Sequence, residues 1–182
     1  MPIQSPVIQR RFEALLKEHR QIAFHVARMY EGHPDDRHDL VQEICSQLWR
    51  AFPGYDEARR FSTWMYRVAL NTGITHLRRA GARTDRFEPL SDELLEATGE
   101  IAPDPATGER LRELDALIAQ LDPLSRALIL LYLEERPYAE IAEILGISEP
   151  NVATKISRIK QRFRQQITDD AATKEQAWNS MK

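Results

Sequence analysis

The chain has 182 residues, 42% of them hydrophobic and 29% charged, with one cysteine, Cys45, and a net charge of −3. That length holds one medium domain or two small ones, and the balance describes a chain that builds cores yet keeps much polar surface. A single cysteine excludes an intrachain disulfide, Met1 to Arg11 lacks the apolar core of a signal peptide, and no run approaches the ~20 apolar residues of a membrane span, so a soluble, cytoplasmic protein without membrane insertion is expected.

Apolar residues recur at helical spacing throughout, with no internal repeat and no β-hairpin signal, which predicts an all-α fold. The first helix runs over Phe12 to Tyr30, carrying Leu15, Leu16, His19, Ile22, Ala23 and Val26. After the turn Glu31-Gly32-His33-Pro34, Asp36 is positioned to cap a second helix with Asp39 in its first turn. Leu40, Val41, Ile44 and Leu48 give that helix an apolar stripe, and Phe52-Pro53-Gly54-Tyr55 ends it. A third helix, Thr63 to Arg79 with Ser62 as cap, carries Trp64, Met65, Val68 and Leu77. The first domain thus spans residues 1–83.

Residues 84–108 read as a flexible acidic linker, rich in proline and glycine (Pro89, Gly99, Pro103, Pro105), with a short helix expected at Ser91 to Ala97. Helical spacing resumes at Leu111, Leu114, Leu117, Ile118 and Leu121. Asp122-Pro123 is a strong helix start, aspartate at the cap and proline where no N–H is needed, leading into a core helix over Leu124 to Leu133. The second domain covers 109–168, and 169–182 is a tail without assigned role, a candidate for disorder, with Trp178 unexplained.

The modest net charge hides a pattern. Between Arg59 and Arg86 seven arginines face the single acid Asp85, and from Pro150 to Thr168 the only charges are Lys155, Arg158, Lys160, Arg162 and Arg164. The acids Glu88, Asp92, Glu93, Glu96, Glu100 and Asp104 lie between. Two positive surfaces with a negative spacer can touch a polyanion twice, although solvated helix faces would carry similar charges.

The most specific local signal is the segment from Tyr138 to Ile156. Ala139, Ile141, Ala142 and Leu145 form one face of a short helix, and Gly146 stands where that helix must end in a sharp turn. Ile147 plugs the angle, Ser148 can cap the next helix, and Pro150 lies in its first turn. Val152, Ile156, Ile159 and Phe163 bury one face, leaving Asn151, Thr154, Lys155, Arg158 and Arg162 outside. This is a DNA-binding helix-turn-helix layout, in which early polar residues of the recognition helix meet base edges and later cations meet phosphates. The DNA-binding residues expected here are Ser148, Glu149, Pro150, Asn151, Thr154, Lys155, Arg158 and Arg162. Asn151 has the chemistry to read adenine and Lys155 guanine. A plain helical hairpin with a basic face is the alternative, but few hairpins join these features in this order.

With both domains laid out, the chain resembles the extracytoplasmic-function sigma factors of bacterial RNA polymerase along nearly its whole length. Asp39-Leu-Val-Gln-Glu followed by Leu48-Trp49 is similar to the family's polymerase-binding helix, which implies that Asp39, Leu40, Gln42, Glu43, Leu48 and Trp49 form the site for core RNA polymerase on its clamp coiled coil. In this site Leu40, Ile44 and Leu48 would pack inward, leaving Asp39, Gln42 and Glu43 as polar contacts and Trp49 as an anchor. Phe61-Ser-Thr-Trp-Met-Tyr-Arg-Val-Ala-Leu-Asn-Thr, followed by His76-Leu-Arg-Arg, resembles the promoter-melting and minus-ten-reading helix. The resemblance assigns promoter DNA contacts there to Arg60, Phe61, Trp64, Arg67, Asn71, Arg78 and Arg79, with the loop from Phe52 to Phe61 and Asn71 forming a pocket for a flipped base. Trp64 at helical spacing also suits a core position. The second domain is similar to the minus-thirty-five-reading domain, the acidic linker to the connector that threads toward the polymerase active centre, and an anti-sigma partner is implied.

Two departures from the family pattern stand out. Pro137 occupies a position where a capping serine or threonine is common, and Asn151-Val-Ala-Thr-Lys replaces the more frequent recognition-helix residues, so the promoter sequence does not carry over from better-known members. No enzymatic activity, cofactor or metal is expected. The main rival is a stand-alone helix-turn-helix transcriptional regulator, which leaves the Asp39-to-Trp49 and Phe61-to-Arg79 blocks unexplained. A metal hydrolase using His33, Asp35, Asp36, His38 and Asp39 lacks the His-Glu-x-x-His pattern, and acids at a helix start serve the helix dipole.

Overall fold

The computed structural model describes residues 6–80 and 105–180, with side chains over 6–79 and 112–169. Among these residues every regular element is helical. The first body contains α1 (Pro6–His19), α2 (Gln21–Tyr30), α3 (Pro34–Ala51), a 3₁₀ turn (Phe52–Gly54) and α4 (Phe61–Ala80). The second contains α5 (Pro105–Ala119), α6 (Pro123–Leu133), α7 (Tyr138–Leu145) and α8 (Glu149–Ser180).

Several boundaries differ from expectation for local reasons. The first helix divides at Arg20, where the Ala23 amide reaches back only three residues to the Arg20 carbonyl (3.1 Å) and tightens the turn. The second starts at Pro34, whose missing N–H costs nothing at that position, so Asp36 is not its cap. Asp35 and Asp36 lie instead in the first turn, where their charges favour the dipole, and Asp39 falls beyond it. The third helix begins at Phe61, which puts Ser62 inside rather than at its cap. Pro105 likewise opens α5 within the stretch read as linker. The short helix expected at Ser91 to Ala97 lies outside the described residues. The expected tail is helical to Ser180, because no glycine or proline follows Pro150 to interrupt α8.

In the first body, Ile22, Val26, Leu40, Ile44, Leu48, Met65, Tyr66 and Leu70 are buried where α2, α3 and α4 meet. Gly73 permits the closest approach: a Cβ there would come within 2.6 Å of the Tyr30 ring. Arg37 is buried and donates from Nε to Glu31 O (3.3 Å) and from Nη2 to Gly32 O (2.9 Å), which fixes the turn into α3.

The second body buries Leu117, Ile118 and Leu121 against α6, and Val152, Ile156, Ile159 and Phe163 of α8 against α6 and α7. Asp122 caps α6 as expected, accepting from the Leu124 and Ser125 amides (both 3.1 Å) and from Ser125 Oγ (2.5 Å). Partial burial opposes ionisation of this carboxyl, but the Ser125 and Leu124 hydrogen bonds outweigh it and hold its pKa below the ordinary value.

Gly146 ends α7 in the left-handed region, φ 67° and ψ 33°, and Ile147 N–H donates to Ala142 O at 3.1 Å. Nothing lies within 4 Å of a Cβ built at Gly146, so its requirement is purely one of backbone conformation. Gly146→Val is therefore expected to lose about 2 kcal/mol of stability, and Gly146→Asn less than half as much, because asparagine tolerates this region. Equal losses for the two in urea unfolding would contradict this account.

Candidate nucleic-acid interface

The turn at Gly146 aims α8 across α6 and α7. Within α7 the buried residues are Ile141 and Ile144, with Ala142 and Leu145 partly covered, whereas Ala139 is exposed rather than part of the packed face. At Pro137, no side chain caps α7. Ser148 precedes α8, its carbonyl accepting the Val152 amide at 3.0 Å, and Glu149 and Pro150 form the exposed first turn.

Along α8, Asn151, Thr154, Lys155, Arg158 and Arg162 fall within about 100° of arc, centred about 110° from the buried Val152, Ile156, Ile159 and Phe163. All five are exposed except Lys155, which is half-buried. Lys160 points elsewhere, with Nζ 3.2 Å from Tyr132 Oη and 5.2 Å from the ring centroid. Of the cations of this segment, Lys155, Arg158 and Arg162 thus share the polar face, whereas Lys160 packs on the domain and the exposed Arg164 lies off that arc.

In the first body, Arg67, Asn71 and Arg78 form one exposed stripe within about 40° of arc on α4, with Arg60 in line just before the helix. Arg79 is also exposed and reaches Glu43 of α3 (3.6 Å), and His76 pairs with Glu31 at 3.0 Å. The two aromatics expected at this interface turn toward the core. Phe61 is buried, and Trp64 half-buried, in a cluster with Phe12, Trp49, Phe52 and Tyr55, with ring centroids 5.0 to 6.3 Å apart. Edge-to-face and tilted pairs of this kind stabilise beyond their buried area. Phe61 accordingly has no open face on which a base could stack, while Trp64 remains partly exposed. The loop leading to α4 is itself built, with Tyr55 Oη donating to Arg59 O (2.6 Å) and the Ala58 amide to Asp56 Oδ1 (3.0 Å). Asn71 lies ten residues beyond Phe61, about 15 Å along α4.

The remaining expected residues lie on α3. Leu40 and Leu48 are buried with Ile44, Trp49 is half-buried against Phe12, and Asp39 and Gln42 are exposed. Glu43 is half-exposed beside Arg79. What the sequence did not reveal is a third group: Arg59, Thr63 and Tyr66 on one body meet Glu143, Glu140 and Glu134 on the other. One signal was present, since Glu134 and Glu135 stand at a helix C-terminus, where carboxylates oppose the dipole and need another reason to be there.

No helix among the described residues is long and apolar enough to cross a membrane. The family model for sigma-70 region 2 matches residues 15–83, and that for sigma-70 region 4 matches residues 111–163. The ECF RNA polymerase sigma factor SigW of Bacillus subtilis is 30% identical over 149 residues, covering 76% of this chain and 79% of SigW. Among solved structures, that of CnrH in complex with the cytosolic domain of CnrY is similar with a TM-score of 0.65 at 24% identity, over 89% of this chain and 90% of CnrH. The sigma factor RpoE from Bartonella quintana, in complex with the anti-sigma factor NepR, superimposes with a TM-score of 0.60 at 17% identity, over 90% of this chain and 98% of RpoE. With both regions matched in order around the linker, the chain belongs to the ECF group of sigma-70 RNA polymerase sigma factors.

Proposed function

We propose that this protein binds core RNA polymerase and directs promoter-specific initiation of transcription, as a cytoplasmic, non-catalytic subunit held in check by an anti-sigma partner. The observation that carries the reading is the pairing of two separate basic surfaces in one chain: the polar face of α8 and the arginine stripe of α4. The α8 face would hold the upstream element as duplex, with Asn151 and Lys155 at base edges and Arg158 and Arg162 at phosphates. The α4 stripe, Arg60, Arg67, Asn71, Arg78 and Arg79, would hold the separated strand at the downstream element. Asp39, Gln42 and Glu43 would contact core polymerase from α3. Control by an anti-sigma partner is supported by the similarity to RpoE, solved with NepR.

Transcription in vitro over a promoter library, with and without core enzyme, tests the reading. Promoter-dependent transcripts should need both components. Tight binding of a defined duplex by the purified chain, with no response to core enzyme, would identify a stand-alone regulator instead. Asp39→Ala, an exposed change, should weaken capture of core polymerase at least several-fold while leaving the thermal transition in place. Unchanged capture would remove Asp39 from the contact.

A further inference from the structure

One exposed residue on the polar face of α8 has already spent its hydrogen-bond donor. Thr154 Oγ1 donates to Pro150 O at 2.9 Å, one turn back along the helix. Threonine inside a helix satisfies its hydroxyl in this way at the cost of turning Oγ1 back against the backbone. That hydrogen is therefore not on offer to a base, and the branch at Cβ left to face outward is the γ-methyl.

The position of Thr154 gives this methyl a role. Val152, Ile156, Ile159 and Phe163 define the side of α8 that faces its own domain. Thr154 falls about 170° of arc from the centre of that stripe, more nearly opposite it than Asn151, Lys155, Arg158 or Arg162. When a recognition helix lies in a major groove with its domain behind it, the side chain opposite the buried stripe is aimed at the groove floor. Asn151 and Arg158, one turn to either side, are themselves exposed and leave Thr154 uncovered. The floor presents acceptors on guanine, adenine and thymine, amino donors on cytosine and adenine, and the 5-methyl of thymine. The acceptors need a hydrogen that Thr154 has given to Pro150, and an amino donor would have to reach an oxygen turned toward the helix. Methyl against methyl buries apolar surface and strands no polar group.

We propose that Thr154 is a specificity-determining residue that selects thymine at one position of the upstream element, through contact of its γ-methyl with the thymine 5-methyl. The inference rests on the promoter-reading function above and adds to it the base that this residue prefers.

The test uses the full chain assembled with core polymerase and a promoter fragment recovered from the library. Each thymine of its upstream element, on either strand, is replaced singly by deoxyuridine, which pairs identically and lacks only the methyl. At one position the replacement should weaken binding by the parent about fourfold, the worth of one buried methyl group. Thr154→Val keeps a methyl without the hydroxyl and should preserve that ratio. Thr154→Ser keeps the hydroxyl without the methyl and should bring it close to one. Each ratio compares two DNAs on a single protein preparation, so a change in folded fraction cancels. Thr168 supplies the control: it is exposed and makes the same hydrogen bond, to Arg164 O at 2.9 Å, but lies about 21 Å further along α8. Thr168→Ser should keep the parent ratio. No sensitive thymine with the parent, a serine variant at residue 154 as discriminating as the parent at every position, or a valine variant that loses the discrimination would each overturn the proposal. The last result would mark the hydroxyl as the reading group. A parent that fails to bind the fragment with core polymerase would instead bring down the promoter-reading function, and this inference with it.

Discussion

Replacing Arg126 by methionine is expected to cost about 3 kcal/mol of folding stability, far more than the same change at a typical surface arginine. Arg126 is 7% exposed, and its guanidinium donates to Leu121 O (3.1 Å), Ala119 O (2.5 Å) and, at 3.5 Å, Met29 O. Two of these acceptors close the turn between α5 and α6, and the third belongs to α2 of the other body. Burial lowers the pKa of this guanidinium, with Tyr30 and Asp122 opposing. Methionine fills most of the volume and removes the buried charge, which is favourable in isolation. It also leaves buried carbonyls without a donor, at about 1–3 kcal/mol each, and that penalty wins. Arg126→Lys should recover less than half of the loss, because one ammonium lacks the fork that reaches two carbonyls at once. Urea unfolding followed by circular dichroism measures both; a methionine variant within about 1 kcal/mol of the parent would show that these carbonyls find other donors.

The contrast between Arg126 and Asp122 shows what the sequence makes legible. Asp122-Pro123 announces itself because both the cap and the proline act within three residues, and the structure places them as the local chemistry requires. The helix-turn-helix is legible for the same reason: Gly146 sets the turn, and the spacing of Val152, Ile156, Ile159 and Phe163 sets the buried face. Arg126 and Arg37 look like ordinary helix cations in sequence, and their role depends on carbonyls brought close by tertiary packing. Phe61 and Trp64 are a similar case. Their helical spacing says that one face is apolar, but the cluster with Phe12 and Trp49 requires α1 and α3 to arrive from elsewhere. The inter-body row at Glu134 was least legible, since no local rule pairs residues more than 60 positions apart.

The second large effect is on promoter recognition. The double variant Lys155→Ala, Arg158→Ala should weaken promoter engagement by about 2–4 kcal/mol, roughly 30- to 1000-fold, at moderate salt. Neither side chain supports the core: Arg158 is exposed, and Lys155 is half-buried at the edge of the face beside Val152 and Ile156. Stability and core-polymerase capture should therefore stay near those of the parent. Removing Arg158, the phosphate-binding cation of the pair, also lowers the steepness of the salt dependence, by about one in the logarithmic slope, because fewer counterions are released. Lys160→Ala supplies the discriminating control. It removes the same charge from the same helix, but its ammonium is held against Tyr132 and away from the polar face. If α8 acted only as a diffuse positive rod, Lys160→Ala would weaken binding as much as Lys155→Ala. If the face reads DNA, the Lys160 variant keeps nearly all its promoter affinity and an unaltered salt slope, while the double variant loses both. Promoter binding by the core-assembled protein, titrated at several salt concentrations, separates these outcomes; equal losses of core capture would show that the second body contacts polymerase through this face.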